Sequence, residues 1–352
     1  MTDAVADILL DWYALQGRDL PWRRTRDPYR IWLSEVILQQ TRVAQGLDYY
    51  LRFTARFPDV RSLAAASEDE VLKLWQGLGY YSRARSLHAA AREVVVRFGG
   101  VFPERYADVR SLPGIGEYTA AAVCSIAYGQ PYAVVDGNVY RVLSRRFDID
   151  VPADSTPGRK LFSELAASLL DTTRPGLYNQ AVMELGALQC VPRLPDCAAC
   201  PLADACLARA RGTVADRPVK RPRKESVSRY FNYLHIGCGG RTLIGRRDGR
   251  DIWRGLYEFP LIETSEAVDF AALQRTARWR ELFGDFSGFR LCRTETMPPH
   301  VLSHRVIRAV FYRIEADALP ACGAGLLTVA EAELDTYAVS RLTQAYLERL
   351  AR

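Results

Sequence analysis

The spacing of apolar residues changes once along this chain, and the change limits the folds open to it. Through residue 206 they recur at three- and four-residue intervals, as in IWLSEVILQQ (31–40) and VLKLWQGLGYY (71–81), a spacing that predicts helices. Beyond residue 228, aromatic and β-branched residues alternate or cluster, as in RYFNYLHIGC (229–238) and VIRAVFYRIEA (306–316), which is typical of strands. We therefore expect an all-α domain followed by a smaller α+β domain, with a last helix over SRLTQAYLERL (340–350).

A stretch without apolar periodicity separates the two patterns. Residues 208–228 contain two prolines and the basic run from Lys220 to Lys224, which indicates a linker. With 352 residues, the chain is long enough for a hydrophobic core on each side of it. The expected domains are therefore residues 1–207 and 229–352, joined by a basic linker over 208–228.

The composition, with 49% hydrophobic and 25% charged residues, fits neither a disordered chain nor a fibrous one. A net charge of +6 is compatible with a polyanionic partner, but an ordinary soluble surface explains it equally well. The sequence does not open on a basic segment, an apolar stretch and a cleavage site, and it contains no apolar run of about 18 residues. We therefore expect a cytoplasmic protein with no membrane partner.

Four of the eight cysteines fall close together in the sequence. The spacing C-x6-C-x2-C-x5-C is formed by Cys190, Cys197, Cys200 and Cys206. Zinc sites usually contain two closely spaced pairs and this run has only one, so the spacing favours a [4Fe-4S] cluster over zinc. Unligated core cysteines are a third interpretation, and a cytoplasmic location disfavours disulfides. The isolated cysteines, expected to be packing residues, are Cys124, Cys238, Cys292 and Cys322.

Two glycines lie in LPGIG (112–116), between a short helical pattern and a longer one. Gly114 and Gly116 would let the backbone approach a ligand closely, and the first amides of the following helix could hold a phosphate. An ordinary helix connection is the alternative, and the motif alone does not separate the two. The basic net charge and the neighbouring motifs favour a phosphate of the DNA backbone.

One carboxylate lies inside an apolar helical run, WLSEVILQQTRV (32–43). At helical spacing Glu35 shares a stripe with Gln39 and Arg42, while the other faces are apolar. A helix covered nearly all round would turn this stripe toward an interior cleft, where burial raises a carboxyl pKa and keeps the group protonated near neutral pH. A surface glutamate is the alternative. A second carboxylate, Asp136, precedes a helix, so its simplest role is an N-cap.

Several motifs, in this order, resemble one known family. They are LPWR (20–23), SEVILQQTRV (34–43), GLGYYSRAR (77–85), LPGIG (112–116), VVDGNVYRV (134–142), YNQAVMELGALQC (178–190), the cysteine spacing, and GLYEFP (255–260). Over nearly its whole length the chain resembles the MutY family of adenine DNA glycosylases, in the endonuclease III or helix-hairpin-helix superfamily. The resemblance implies a helix-hairpin-helix glycosylase domain with a cluster loop over 190–206, followed by a Nudix-like α+β domain.

The resemblance also assigns roles to the two carboxylates. Glu35 would deliver a proton to N7 of adenine, and Asp136 would stabilise the oxocarbenium character of the sugar. Tyr118 and Asn138 would lie nearby and orient water or a carboxylate. The lyases of the superfamily carry a lysine at the position of Tyr118, and tyrosine cannot form the imine. A monofunctional enzyme that leaves an abasic site is therefore implied.

A flipped adenine requires a pocket, and the gap it leaves requires a wedge. By resemblance, the pocket would be lined by Trp22, Arg23, Leu38 and Glu184. The wedge beside the opposing base would be formed by Gln40 and Tyr80, although ordinary aromatic core would equally explain Trp22 and Tyr80. Arg83 and Arg85 resemble DNA-backbone contacts, with a solvated helix face as the alternative.

The resemblance assigns lesion recognition to the C-terminal domain. The segment after GLYEFP lacks the Nudix catalytic signature, so hydrolysis of nucleoside diphosphates is not expected. Ser303 and His304, in the loop HVLSHR (300–305), would read 8-oxoguanine opposite adenine, although Leu302 stands where the family usually has phenylalanine. The implied partner is double-stranded DNA containing A·8-oxoguanine or A·G mispairs, bound by a monomer.

Two other functions fit parts of the sequence. A thymine glycosylase acting on G·T mismatches can also carry tyrosine in place of the lysine, but Glu35 followed by Gln39 and Gln40, together with the second domain, argues against it. A non-enzymatic iron–sulfur DNA-binding regulator would have no need of both Glu35 and Asp136.

Overall fold

The computed structural model describes residues 2–221, 226–249, 251–284, 287–302, 304–320 and 325–350. The chain divides into two compact units. The first contains Met1–Ala65 and Ser86–Pro222, and the second contains Ala66–Arg85 and Arg223–Arg352. Within the described ranges, no helix combines the length and the apolar character that crossing a membrane requires.

Helices dominate the N-terminal part of the chain. They are α1 (Thr2–Gln16), α2 (Pro28–Leu38), α3 (Val43–Arg56), α4 (Val60–Ala65), α5 (Glu68–Trp75), α6 (Ser82–Phe98), α7 (Tyr106–Ser111), α8 (Glu117–Tyr128), α9 (Gly137–Arg146), α10 (Thr156–Leu169), α11 (Pro175–Leu188) and α12 (Leu207–Ala210). In the first unit, α11 packs on α1, α8 and α9. This packing buries small and branched residues such as Ala122, Val139 and Leu185, and it fixes the helix ends that carry the candidate site.

The helix predicted over 71–81 is shorter than its apolar pattern. α5 ends at Trp75, and Gly77, Gly79 and Tyr80 then adopt positive φ angles of 97°, 73° and 46°. A right-handed helix cannot continue through such residues. The last part of the pattern therefore forms a turn, and the prediction was wrong there.

The second unit is built around one mixed sheet. Its strands are β1 (Val227–Cys238), β2 (Arg241–Arg246), β3 (Tyr257–Glu258), β4 (Leu261–Thr264), β5 (Phe289–Thr296), β6 (His300–Val301), β7 (Arg305–Ala316) and β8 (Leu326–Ala330), in the order β3-β2-β1-β7-β5, with β4 on β1, β6 on β7 and β8 on β2. β1 and β7 pair in parallel, and the other pairs are antiparallel.

Helices cover both faces of this sheet, because its central strands are apolar on both sides. On β7, Phe311 packs in one core with α15 (Arg341–Leu350), while Tyr312 packs in another with α13 (Phe270–Gln274) and α14 (Ala277–Phe283). The predicted strands and the predicted terminal helix are all present, which confirms the α+β domain.

Two sequence expectations meet different outcomes. Among the isolated cysteines, Cys124 is buried and Cys238 partly exposed, but Cys292 is exposed on β5, so packing was the wrong interpretation there; Cys322 lies outside the described residues. Within the predicted linker, Arg211 and Arg217 pair with Asp148 at 3.0 Å and 2.9 Å. These two arginines therefore have fixed partners in the first unit.

Candidate active site

A carboxyl and a phenol meet inside the first unit. Glu35 lies on α2 and is only 9% exposed, and the Tyr118 hydroxyl donates to its Oε2 at 2.6 Å. Burial raises the pKa of Glu35 to about 7, although the bond from Tyr118 opposes this, and the nearby charge of Asp136 raises it further. Glu35 can therefore hold a transferable proton near neutral pH, as predicted for an interior carboxyl.

The polar stripe predicted on this helix is shorter than expected. α2 ends at Leu38, Gln39 is its C-cap, and Arg42 is already the N-cap of α3. Arg42 therefore does not continue the stripe, and that part of the prediction was wrong. The Gln39 side chain instead donates through Nε2 to Thr119 Oγ1 at 3.2 Å, which ties the end of α2 to α8 beside Tyr118.

Asp136 caps helix α9. Its Oδ1 accepts from the amides of Asn138 and Val139 at 2.9 Å and 2.8 Å, and its Oδ2 accepts from Asn138 Nδ2 at 2.8 Å. Burial raises the pKa of Asp136, while these three bonds and the charge of Arg141 act to lower it. The predicted N-cap is confirmed. A helix N-terminus also favours an anion, so capping and charge stabilisation are compatible roles.

Arg141 completes this arrangement, and the sequence reasoning did not single it out. Its Nη2 donates to Asn138 Oδ1 at 2.8 Å and to the Gly186 carbonyl at 2.6 Å, and its Nε donates to the Cys190 carbonyl at 2.6 Å. Because a guanidinium only donates, Asn138 must direct Oδ1 toward Arg141 and Nδ2 toward Asp136. The available signal was its position one turn after Asn138 on an amphipathic helix.

The motif LPGIG forms a tight hairpin between α7 and α8. Gly114 has a φ of 73°, and a Cβ on it would lie 2.5 Å from Ser86 Cβ, so only glycine fits there. Gly116 is the N-cap of α8 and has no side chain to bond the first amides of that helix. The predicted turn between helices is confirmed, and phosphate binding by these amides stays a prediction.

Glu184 is enclosed by two arginines. Its side chain is 0% exposed, and its oxygens accept from the guanidinium groups of Arg18 and Arg23 at 2.6–2.9 Å. Burial acts to raise the pKa of Glu184, but these bonds outweigh it and lower the pKa to about 2. The structure thus makes Glu184 the anchor of both arginines. A buried carboxylate requires such partners, yet nothing in the sequence identified Arg18.

The other predicted pocket and wedge residues fall into two groups. Trp22 is buried and packs edge-on against Tyr50 at 5.0 Å, and Leu38 is partly buried. Gln40 is exposed with a φ of 55°, and Tyr80, in the second unit, is 49% exposed with a φ of 46°. Both proposed wedge residues therefore occupy strained, exposed turn positions, which non-glycine residues adopt rarely.

The two arginines predicted as DNA-backbone contacts each donate to a protein carbonyl, Arg83 Nη2 to that of Gly79 at 3.4 Å, and the DNA contact stays a prediction. Arg83 lies over the rings of Trp75 and Tyr80, and burial lowers its pKa to about 10. Arg85 Nη1 donates to the Arg254 carbonyl at 2.6 Å. These contacts favour a structural role for both side chains.

The four clustered cysteines line a single pocket, together with Arg145 and Arg209. Arg145 Nη1 lies 3.4 Å from Cys190 Sγ. Within the described ranges, no three His, Cys, Asp or Glu side chains are grouped as ligands of one metal ion. Four thiols around one pocket with adjacent positive charge are compatible with an anionic iron–sulfur cluster, and the choice of this cluster over zinc stays a prediction from the spacing.

Exchanging one of these cysteines should remove the iron. Cys197→Ser is expected to lower bound iron and sulfide from about four each per chain to near zero in anaerobic preparations, because a [4Fe-4S] cube requires four ligands. Iron, acid-labile sulfide and visible absorbance provide the measurement. Cys292→Ser, at the exposed cysteine on β5, is the matched control. Full iron content in Cys197→Ser, or stoichiometric zinc in an iron-replete wild type, would contradict the assignment.

The predicted lesion loop follows β6. The Leu302 amide donates to the Arg305 carbonyl at 2.8 Å, and the Leu302 side chain packs on the core of the second unit. Leucine therefore fulfils the packing role at this position. His304 is exposed and its carbonyl accepts from the Val227 amide at 3.2 Å, while Ser303 lies outside the described residues.

The helical unit, its hairpin and its buried carboxylates are those of a base-excision DNA repair protein. The sequence model described as "HhH-GPD superfamily base excision DNA repair protein" matches residues 33–165, and a NUDIX domain model matches residues 232–349. The chain belongs to the adenine DNA glycosylase family, as the following relatives show.

The human adenine DNA glycosylase is 38% identical over 328 residues, an alignment that covers 77% of this chain and 60% of that protein. The adenine DNA glycosylase of Buchnera aphidicola subsp. Acyrthosiphon pisum (strain APS) is 33% identical over 263 residues, covering 74% of this chain and 75% of that protein. A solved thermostable thymine-DNA glycosylase is 30% identical with a TM-score of 0.55, covering 60% of this chain and 97% of that one. The chain thus spans less than two thirds of its human relative.

Proposed function

We propose that the chain hydrolyses the N-glycosidic bond of adenine in double-stranded DNA, at A·8-oxoguanine and A·G mispairs. The proposal rests on Glu35, whose carboxyl is buried and accepts a hydrogen bond from Tyr118. Burial and the nearby charge of Asp136 raise its pKa to about 7. Membership in the adenine DNA glycosylase family supports adenine as the base. Action as a monomer and in the cytoplasm stays a prediction from the sequence.

The two carboxylates would act on different parts of the substrate, Glu35 on the base and Asp136 on the sugar. Protonation of adenine N7 by Glu35 lets the electron pair of the bond to C1′ leave with a neutral base. Asp136, held at the N-terminus of α9 by Asn138 and Val139, would stabilise the positive charge at C1′. Water then adds to C1′ and transfers a proton to a carboxylate. The product is an abasic site.

We propose that Glu184 acts through Arg23 and does not touch the base itself. A side chain without exposed surface, whose oxygens accept four bonds from two guanidinium groups, offers little to a substrate. Trp22, Arg23 and Leu38 would then line the adenine pocket, with Glu184 holding Arg23 in place. The cluster cysteines would hold a [4Fe-4S] group, which cross-links the loop over 190–206 when bound.

A panel of duplexes tests the function. Single-turnover incubation with end-labelled A·8-oxoguanine, A·G, A·C and G·T duplexes, followed by alkali, reveals each abasic site as a strand break. We expect breaks at adenine in A·8-oxoguanine and A·G. Breaks at thymine in G·T would favour a thymine glycosylase, and duplex binding without any break would favour a regulator.

Tyr118 should decide whether the enzyme cuts the strand. Tyr118→Lys is expected to introduce borohydride trapping of protein on DNA, because an amine would then lie beside Glu35 and Asp136, where it can form an imine with the abasic sugar. Trapped adduct is measured by gel. Tyr128→Lys, on the same helix but bonded to the Phe102 carbonyl, is the control. Abundant adduct with the wild-type protein would contradict monofunctional action.

The loop after β6 should set lesion preference. Replacing Ser303 and His304 by alanine is expected to cost roughly 1–3 kcal/mol of discrimination for A·8-oxoguanine over A·G, the size of a lost base-edge contact. Single-turnover rates on the two duplexes give the ratio. Ser265→Ala, in an exposed loop after β4, is the control. Equal losses on both duplexes would assign the loop to general binding or folding.

A further inference from the structure

The turn that carries Tyr80 belongs to the second unit. Residues 66–85 fall within the range matched by the HhH-GPD sequence model, yet their contacts group them with the Nudix-like fold. Several side chains make these contacts, including Tyr257 on β3, whose hydroxyl donates to Asp69 at 3.0 Å, and Arg246 on β2, which pairs with Glu68 at 2.8 Å.

Val339 of the Nudix-like fold bonds to the turn of Tyr80 through both its backbone amide and its backbone carbonyl. The Val339 amide donates to Gln76 Oε1 at 3.2 Å, and the Val339 carbonyl accepts from the Tyr81 hydroxyl at 3.3 Å. The same hydroxyl accepts from the Gly77 amide at 3.3 Å. Lys73 Nζ extends the link, since it donates to Gln76 Oε1 and to the Tyr337 carbonyl, both at 3.2 Å.

This group, which we call the Val339 clasp, consists of Gln76, Tyr81 and the Val339 backbone. Tyr81 is 5% exposed, whereas its neighbour Tyr80 is 49% exposed. Gly77, Gly79 and Tyr80 all have positive φ angles in this turn. At Tyr80 this conformation is sterically unfavourable, because its side chain has a Cβ atom that glycine lacks. Such a conformation persists only where the surroundings enforce it.

We infer that the Val339 clasp positions Tyr80 for insertion into DNA, so that the lesion-recognition fold itself sets the geometry of the wedge. The inference rests on the proposed function, in which Tyr80 fills the gap beside the mispair. Gln76 and Tyr81 are thus positioning residues, which act through Tyr80 and need no contact with DNA. Loss of either should leave duplex binding in place but reduce productive insertion.

Two variants and two controls isolate the clasp. Tyr81→Phe removes the hydroxyl that joins Gly77 to Val339, and Gln76→Met removes the acceptor for the Val339 amide. Gln76→Glu keeps an oxygen there and should rescue. Tyr312→Phe removes another buried hydroxyl of the same unit, bonded to the Val268 carbonyl on the other face of the sheet, and serves as the matched control.

Insertion is measured apart from chemistry. The probe is a duplex that contains 8-oxoguanine opposite 2′-fluoro-2′-deoxyadenosine, with 2-aminopurine next to the lesion. The fluorine disfavours the oxocarbenium ion and so prevents cleavage. Unstacking by the wedge raises the 2-aminopurine fluorescence. We expect Tyr81→Phe and Gln76→Met to lower this amplitude and, on cleavable A·8-oxoguanine, the single-turnover rate by about 10-fold, the effect of a lost buried hydrogen bond. Melting temperature and duplex affinity should match those of Tyr312→Phe.

The outcomes separate this inference from the proposed function. If both variants keep the amplitude and rate of Tyr312→Phe, or if Gln76→Glu fails to rescue while Gln76→Met is impaired, the clasp does not position the wedge. If the wild type releases no adenine, the proposed function fails, but the fluorescence comparison still decides whether the clasp controls insertion.

Discussion

Glu35→Gln is expected to lower the single-turnover rate of adenine release by at least roughly 100-fold, the usual contribution of a general acid. Glutamine preserves the shape of the side chain and can accept the Tyr118 bond, but its amide protons are not acidic enough to be transferred to the base. In the wild type, the rate should fall as pH rises through about 7, because burial raises the pKa of Glu35 to that value and the acid is then lost.

The same substitution should stabilise the fold at alkaline pH. The folded-state pKa of Glu35, about 7, lies above the ordinary glutamate value of 4.5, so the native state binds the proton more tightly than the unfolded chain. The ionisation of Glu35 therefore has no effect on the free energy of unfolding below pH 4.5. It lowers that free energy progressively as pH rises toward 7, and the loss is complete above pH 7. At pH 8, Glu35→Gln should raise the free energy of unfolding, measured with urea, by roughly 1–3 kcal/mol.

The control for Glu35 is Glu164→Gln, an exposed glutamate on α10. It should change neither rate nor stability measurably. A slow variant that is also less stable than wild type at pH 8 would indicate misfolding, and a rate close to wild type would remove Glu35 as the acid.

Asp136→Asn is the second substitution with a large expected effect, again at least roughly 100-fold in single-turnover rate. Asparagine is as good an N-cap as aspartate, so the bonds to the amides of Asn138 and Val139 can persist while the negative charge is lost. The negative charge near C1′ disappears, and so does the bond from Asn138 Nδ2, because the new amide nitrogen at position 136 can only donate. Abasic-site formation is the measurement, with duplex affinity and melting temperature recorded beside it.

Asp269→Asn is the control, because Asp269 caps α13 in the same way through the Ala272 amide. Both variants should bind duplex normally. If Asp136→Asn cleaves at the wild-type rate, or loses activity only in proportion to lost folding, Asp136 is a cap and nothing more.

These two residues illustrate how far local sequence reasoning reaches. The N-cap at Asp136 follows from its position before a helix, and the interior placement of Glu35 follows from the apolar residues around it. The strands β1 and β7 and the final helix also follow from periodicity. Such features depend on neighbours within one or two turns, and the sequence states those directly.

Features that depend on distant partners were beyond the sequence. Nothing near Glu184 indicates that Arg18 and Arg23 enclose it, or near Asn138 that Arg141 fixes its amide between Asp136 and Gly186. The predicted stripe to Arg42 failed because the backbone turns after Leu38.

The sequence by itself therefore determined the order of the two domains, the type of the strongly periodic elements and the residue types available for chemistry. Only the tertiary structure decided that Tyr118 bonds Glu35, 83 positions away, and that Val339 holds the turn of Tyr80. The physical reason is that burial and the charge of Asp136 raise the pKa of Glu35, while hydrogen bonds from Val339 support the turn of Tyr80. Those terms exist only once the chain has packed.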